Sequence, residues 1–92
     1  MEINDALTAF AALSQPTRLN AFRLLIQAGP NGLAAGEISD ALHVRQNTLS
    51  ANLSVLLGAG LVRNERQGRS IRYFADMDGL RGMLAFLLQD CC

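Results

Sequence analysis

The apolar residues near the N-terminus recur at the spacing of amphipathic helices. A first helix is predicted over residues 3–13, capped by Asn4 or Asp5, because short polar side chains suit the position before the first turn. Pro16 disfavours helix at the residue before it and fits the first turn of a second helix, which ends near Gly29. The apolar stripes are Ile3, Leu7, Phe10, Ala11 and Leu13 in the first helix and Leu19, Phe22, Leu25 and Ile26 in the second.

The middle of the chain predicts two further helices joined by a tight turn. The first is about two turns long and ends before His43, and the second ends at Gly58 or Gly60. Val44 would fill the space between them. Their apolar positions are Ile38, Ala41 and Leu42, then Leu49, Leu53, Leu56 and Leu57. This arrangement, at about residues 35–58, is typical of a helix-turn-helix unit, although a generic hairpin of two helices has the same pattern.

The apolar period changes from that of a helix to that of a strand in the next segment. Leu61 and Val62 begin a first strand, residues 67–70 supply a turn, and a second strand alternates in side-chain type up to Phe74. The result is a two-stranded hairpin over about residues 61–75. The hairpin must pack against the helices, because an isolated hairpin is marginally stable in water.

A last helix is predicted over about residues 77–90, and its apolar residues cover more than one face. They are Leu80, Met83, Leu84, Phe86, Leu87 and Leu88. A helix that is apolar on several faces is buried on several sides, which at this end of the chain indicates a second subunit. The composition agrees, because half of the 92 residues are apolar and the mean hydropathy is +0.19. One small domain cannot bury so much apolar surface in its own core. We therefore expect a second copy of the chain to cover the rest in a homodimer.

The charged residues are divided unevenly although the formal net charge is zero. Residues 45–72 hold five arginines and one acid, Glu65, for a net charge of +4. The rest of the chain holds three arginines and seven acids, for a net charge of −4. A basic surface in front of an acidic body suits contact with phosphates, although a solvated charged face has the same composition.

The sequence also indicates a compartment and excludes some classes of protein. No apolar run spans a bilayer, and the first seven residues carry two acids and no base, unlike a signal peptide. We therefore expect a cytoplasmic protein with no membrane partner, in which thiols stay reduced. An enzyme is not expected, because a Cys-x-x-Cys pair, a Cys/His/acid constellation and a glycine-rich phosphate loop are all missing.

The order helix, helix, helix-turn-helix, basic hairpin, helix describes one winged helix-turn-helix domain over residues 1–92. It is mainly α with a small β-hairpin, in the order α-α-α-α-β-β-α. Three stretches resemble the ArsR/SmtB-type metalloregulatory repressors: "ALSQPTRLNAFRLL" (12–25), "GEISDALHVRQNTLSANLSVLLGAGLV" (36–62) and "RQGRSIRYF" (66–74). The resemblance implies a symmetric homodimer built from the first and last helices. It also implies that helix 45–57 enters the major groove of double-stranded operator DNA.

The resemblance places candidate DNA contacts on this recognition helix and on the hairpin. They are Arg45, Gln46, Asn47, Thr48, Ser50 and Asn52 on the helix, Arg66, Arg69 and Arg72 on the hairpin, and Arg18 at the start of the second helix. Gln and Asn bond bidentately to adenine and Arg to guanine, whereas the hairpin arginines would meet phosphates or the minor groove. Family members often carry Ser or Thr in place of Arg45 and a histidine in place of Ala51 or Asn52, so the base assignments stay open. The alternatives are that these polar residues only face solvent and that Arg18 pairs with an acid.

The metal sites of the family guide the prediction of a ligand. One is a cysteine-rich stretch on the first helix of the helix-turn-helix, which here is "EISDALHVR"; the other is an Asp/His set on the last helix, which here has no histidine. The single histidine, His43, is expected at the turn surface, so no zinc is predicted. The only cysteines are Cys91 and Cys92. Their Cα atoms lie about 3.8 Å apart, below the roughly 4.4–6.8 Å of ordinary disulfides.

Two adjacent thiolates suit a soft ion, and some ArsR-type repressors similarly bind arsenite through a vicinal pair plus a third cysteine. We therefore expect As(III) or Sb(III) to bind Cys91 and Cys92 and to release the repressor from DNA. The third sulfur would come from a longer form of the chain, from the other subunit or from a small thiol. The alternatives are a pair without function, a switch driven by thiol oxidation, and a winged-helix module for protein association.

Overall fold

The computed structural model describes residues 1–91, which form five α-helices and three strands. The helices are α1 (Ile3–Leu13), α2 (Pro16–Ala28), α3 (Ala35–Leu42), α4 (Gln46–Gly58) and α5 (Met77–Leu88). The strands are β1 (Leu33–Ala34), β2 (Val62–Gln67) and β3 (Ser70–Ala75), and a 3-10 turn (Gly29–Asn31) follows α2. The predicted fold, mainly helical with a β2–β3 hairpin, is confirmed.

The start of α1 differs from the prediction, because Glu2 precedes the first turn in place of Asn4 or Asp5. The backbone N–H of Glu2 donates to the carboxylate of Asp5 at 3.3 Å, so Asp5 acts from within the first turn. A carboxylate there also offsets the positive end of the helix dipole. The break between α1 and α2 lies where it is predicted, with Pro16 as the first residue of α2.

The strand β1 is absent from the sequence prediction and extends the hairpin to a three-stranded antiparallel sheet of order β1-β3-β2. It pairs with Tyr73 and Arg72 of β3. Gly32 brings the chain close to β3: its φ is +61°, and a Cβ there would collide with the carbonyl oxygen of Tyr73 and the ring of Phe74. A strand of two residues shows no alternation in the sequence, which is why the pattern does not reveal it.

The core fixes which face of α4 points outward. The largest fully buried side chains are Leu25, Ile38, Leu49, Leu53, Leu56 and Leu61. Three of them belong to α4 and lie on one face of it, against which α2 packs. The polar residues between them must therefore lie on the solvent side of α4.

The two terminal helices keep large apolar side chains outside the core. The residues of α1 that are buried are Ala6, Ala9 and Ala12. Ile3 is 62% exposed and Leu7 is 56% exposed, and α5 buries Met83 while it exposes three leucines. We call these exposed residues the α1–α5 apolar face: Ile3, Leu7, Leu84, Leu87 and Leu88. No helix within residues 1–91 is long and apolar enough to cross a bilayer.

The start of α5 is held against the turn between α4 and β2. Oδ1 of Asp76 accepts from the N–H of Asp78 at 3.1 Å and from the N–H of Gly79 at 3.2 Å, which caps the helix. A side chain on Gly79 would collide with the carbonyl oxygen of Gly60. The N–H of Asp76 also donates to the carbonyl oxygen of Leu61 at 2.8 Å. The beginning of α5 is thereby fixed to the C-terminal end of α4.

Candidate nucleic-acid interface

The turn between α3 and α4 is fixed by two hydrogen bonds between Ser39 and Val44. The hydroxyl of Ser39 donates to the carbonyl oxygen of Val44 at 2.6 Å, and the N–H of Val44 donates to the carbonyl oxygen of Ser39 at 3.2 Å. His43 has a left-handed φ of 55°, which ends α3. Val44 packs against the core and His43 is exposed, both as predicted. The two helices are therefore held in a defined helix-turn-helix arrangement.

The first turns of α4 present polar side chains to solvent. Arg45 precedes the helix and provides no side-chain cap, since a guanidinium has no acceptor. Within residues 1–91, Gln46 and Ser50 make no side-chain hydrogen bond, and Asn47 uses only Oδ1, which accepts from the N–H of Thr48 at 2.9 Å. We call the exposed set the recognition face: Arg45, Gln46, Asn47, Thr48 and Ser50. Its hydrogen-bonding groups stand beside the positive end of the helix dipole.

Arg18 and Asn52, two further predicted contacts, bond to each other. Nη1 of Arg18 donates to Oδ1 of Asn52 at 3.1 Å, and Nδ2 of Asn52 donates to the carbonyl oxygen of Thr48 at 3.1 Å. The same guanidinium reaches the end of α1: Nε donates to the carbonyl oxygen of Ala12 at 2.6 Å, and Nη2 donates to that of Ala11 at 3.4 Å. The alternative that Arg18 pairs with an acid is not observed: within residues 1–91 its guanidinium donates to two carbonyl groups and an amide.

Two of the predicted hairpin arginines are exposed to solvent. Arg66, in β2, and Arg69, in the turn between the strands, are exposed. In the part of the chain that the structure describes, neither forms a hydrogen bond or an ion pair. Glu65, the acid beside Arg66 in β2, forms no ion pair in the same part of the chain. The tip of the hairpin is therefore a cationic surface with unengaged guanidinium groups.

Arg72, the third hairpin arginine, reaches across the sheet instead. Its Nη1 donates to the carbonyl oxygens of Asn31 at 3.0 Å and Gly32 at 3.1 Å. Its Nε lies 3.4 Å from Oε1 of Gln67, and its Nη2 lies 3.8 Å from Oε1 of Glu37. Because these contacts occupy the guanidinium, Arg72 holds the hairpin against the turn before β1.

Two supporting residues are missing from the sequence prediction. Glu37 accepts a hydrogen bond from the N–H of Ala34 at 2.9 Å and faces Arg72 with the same oxygen. Its position in the first turn of α3 is the signal that could have identified it, since an acid there favours a capping box. The guanidinium of Arg63 lies 4.4 Å from the centre of the Phe74 ring, a cation–π contact at the base of the hairpin.

Comparisons with known proteins agree with this geometry. Residues 13–65, more than half of the chain, match the family described as "Helix-turn-helix domain". The HTH-type transcriptional repressor SmtB of Mycobacterium tuberculosis is 37% identical over 62 residues, which cover 67% of this chain. YbzH of Bacillus subtilis, an uncharacterized HTH-type transcriptional regulator, is 30% identical over 95 residues, which cover 90% of this chain and 95% of YbzH. The chain belongs to the ArsR/SmtB family of winged helix-turn-helix regulators.

A solved structure extends the likeness of this ArsR/SmtB-family regulator to the whole fold. Mb0332 of Mycobacterium bovis, described as a homodimeric winged helix-turn-helix DNA-binding domain and a possible ArsR-family regulator, is 29% identical with a TM-score of 0.78. The match covers 96% of this chain and 81% of that one. Against SmtB the match spans 44% of the relative, so this chain covers less than half of its length. These relatives are regulators rather than enzymes, as predicted.

Two cysteines are predicted to bind the inducer of this ArsR/SmtB-family member. The structure describes one of them, Cys91, in the segment after α5. The N–H of the exposed Cys91 donates at 2.8 Å to the carbonyl oxygen of Leu88, the last residue of α5, so Cys91 stays close to the end of the helix. Cys92, the second predicted ligand, lies outside the described residues. Within residues 1–91, no group of three or more His, Cys, Asp or Glu side chains could hold a metal ion.

Proposed function

We propose that this ArsR/SmtB-family regulator is a cytoplasmic repressor that binds operator DNA as a homodimer. The observation that carries the proposal is the recognition face, whose amide and hydroxyl groups are exposed beside the tight turn. The amides of Gln46 and Asn47 suit adenine edges, and Arg45 suits guanine. Because α4 packs on the core through its leucines, this face would enter the major groove without rearrangement of the helix.

The hairpin adds two cations to the single cation, Arg45, of the recognition face. Arg66 and Arg69 are exposed guanidinium groups at its outer end. Such groups bind phosphates or insert into a minor groove, which positions a protein on DNA without reading the sequence. Arg72, which holds the hairpin in place, would contribute indirectly, and we assign DNA contact in the hairpin to Arg66 and Arg69 alone.

The α1–α5 apolar face supports a homodimer. It places large apolar side chains from two helices in solvent, where a monomer would bear the cost of hydrating them. A second copy of the same surface would bury it in a symmetric contact. The homodimeric state of Mb0332 is consistent with this proposal. Two recognition faces related by a dyad would then bind two half-sites of a near-palindrome.

We further propose that As(III) or Sb(III) is the inducer and binds Cys91 and Cys92. Adjacent thiolates fit a soft, thiophilic ion, and the exposed Cys91 is open to solvent. Cys91 follows the end of α5 after Gln89 and Asp90, and α5 carries Leu84, Leu87 and Leu88 of the α1–α5 apolar face. A ligand there would act on the dimer and thus on the spacing of its recognition faces. The coupling is reciprocal, so bound DNA must weaken arsenite binding by the same factor.

The salt dependence of binding separates this function from a protein-association module. The probe is a duplex that the protein selects from a random-sequence DNA library. If Arg66 and Arg69 of two protomers neutralise four phosphates, the logarithm of affinity falls with the logarithm of salt concentration with a slope of about −3.6. Failure to select any duplex at low salt, or a slope near zero, would contradict the proposal and favour the association module.

A further inference from the structure

Arg18 joins three helices through a single side chain. It lies in the first turn of α2, and its guanidinium donates to two carbonyl groups at the end of α1 and to Asn52 of α4. The backbone N–H of Arg18 also donates to Oε1 of Gln15 at 2.8 Å, which caps α2 at this point. Hydrogen bonds therefore hold both the backbone and the guanidinium of Arg18, which fixes the distance between the helices that the side chain connects.

The residue types at both ends suit this bridge. The last carbonyls of α1 lack partners within the helix and carry its negative dipole end, so a cation is favoured there. The planar fork of Arg18 directs donors to Ala11, Ala12 and Asn52 at once, which the single ammonium of a lysine cannot do. Asn52 uses its oxygen for Arg18 and its nitrogen for the carbonyl of Thr48. The amide orientation is thereby determined.

The bridge links the two functional surfaces of the proposed dimer. α1 carries Ile3 and Leu7 of the α1–α5 apolar face, and Thr48, to which Asn52 bonds, belongs to the recognition face. Apolar packing of α4 on the core is non-directional and tolerates small rotations of the helix. Hydrogen bonds to a charged group are directional and restrict that rotation.

We infer that Arg18 and Asn52 are positioning residues, which set the orientation of α4 relative to α1 and hence the separation of the two recognition faces on DNA. The inference rests on the proposed function, because it presumes a dimer that binds two half-sites. It removes Arg18 and Asn52 from the set of direct DNA contacts. Their effect on DNA binding is exerted through the geometry of the dimer.

The test compares two duplexes, one with both half-sites selected by the wild-type protein and one with the second half-site scrambled. Arg18→Lys keeps the charge and removes the fork. We expect it to lower affinity for the complete duplex by about tenfold and for the scrambled duplex by less than about twofold. The salt slope stays at the wild-type value, since the substitution keeps the charge. Arg23→Lys, at an exposed position of α2, is the matched control and changes neither affinity.

Asn52→Ala tests the other end of the bridge and leaves the bonds from Arg18 to α1 in place. It should reproduce the effect of Arg18→Lys, and the double variant should be no weaker than either single variant, because the two residues act as one unit. Thermal unfolding verifies that each variant is folded before its DNA binding is compared.

Equal losses of affinity for the two duplexes, or no loss at all, would each overturn the inference. If the wild-type protein selects no duplex, the proposed function itself fails. If it selects a duplex and Gln46→Ala weakens binding while Arg18→Lys and Asn52→Ala do not, the inference alone fails.

Discussion

At the edge of the β2–β3 hairpin, Nη1 of Arg72 donates to the carbonyl oxygen of Gly32 at 3.1 Å, so a side chain of β3 holds the turn that leads into β1. Arg72→Ala would remove this bond together with the bond to Asn31. Hydrogen bonds from charged groups contribute about 1.5–3 kcal/mol, and partial exposure of the guanidinium reduces that value. We expect the free energy of unfolding to fall by about 1 kcal/mol, as measured by urea denaturation.

Arg69→Ala is the matched control for that substitution. Arg69 is exposed and forms no hydrogen bond or ion pair within residues 1–91, so its removal should change the free energy of unfolding by less than about 0.5 kcal/mol. Arg69→Ala should instead weaken DNA binding and reduce the salt slope. Equal destabilisation by the two substitutions would show that the hydrogen bonds of Arg72 to Asn31 and Gly32 do not stabilise the fold.

If the α1–α5 apolar face is the subunit contact, one charged residue introduced into it should dissociate the dimer. Leu87 is 58% exposed in the single chain, so Leu87→Glu should leave the fold of each protomer intact. In a dimer the same carboxylate would be buried without a partner, which costs several kcal/mol. We expect sedimentation equilibrium to give a monomer at concentrations where the wild-type protein is a dimer.

Leu19→Glu on α2 provides the comparison, because Leu19 is also exposed but lies on a helix outside the α1–α5 apolar face. It should leave the dimer unchanged. A monomeric wild-type protein, or a Leu87→Glu variant that remains a dimer, would rule out this face as the subunit contact.

If Cys91 and Cys92 bind arsenite, arsenite should release the protein from DNA without oxidation of the thiols. Under a strong non-thiol reductant, arsenite should release the wild-type protein from its selected duplex. Cys91→Ser and Cys92→Ser should each abolish release, since one remaining thiolate is a poor chelator of a soft ion. Fluorescence anisotropy of labelled DNA measures the release.

Two further conditions distinguish metalloid sensing from redox sensing. Release by peroxide in the absence of arsenite, reversed by reductant, would indicate a switch that operates by thiol oxidation. Continued binding to DNA at saturating arsenite would exclude arsenite as the inducer of this chain. A serine variant that still releases DNA with arsenite would place the ligand site elsewhere.

The sequence predicted those elements whose residues carry a strong periodic signal. The leucines of α4 recur at helical spacing and are buried, and Pro16 starts α2 where the sequence placed it. The two residues of β1 are too few to establish a period, and their partners, Tyr73 and Arg72, are distant in the chain. In α1 the predicted stripe is divided: Phe10 and Leu13 pack against the core, whereas Ile3 and Leu7 face solvent.

The sequence predicted which residues belong to the candidate site, but it did not predict which of them form hydrogen bonds with distant residues. Gln46 and Arg69 are exposed, as their polarity and positions indicate. Arg18 and Asn52 are separated by 34 positions, and Arg72 and Gly32 by 40, so no local pattern could reveal that each pair is hydrogen-bonded. Where an arginine could serve either a phosphate or a carbonyl, only the tertiary structure decides between them.

The affinity of a recognition-face variant for the selected duplex tests the central claim most directly. Gln46→Ala with Asn47→Ala removes two amides from each recognition face without disturbing the buried face of α4. The matched control is Gln27→Ala with Asn20→Ala, which removes two exposed amides from α2. We predict that the recognition-face variant loses at least about tenfold in affinity, since a good bidentate contact is worth about 1–3 kcal/mol, and that the control binds like the wild-type protein. Unchanged affinity in the recognition-face variant would contradict the assignment of α4 as the helix that contacts DNA bases.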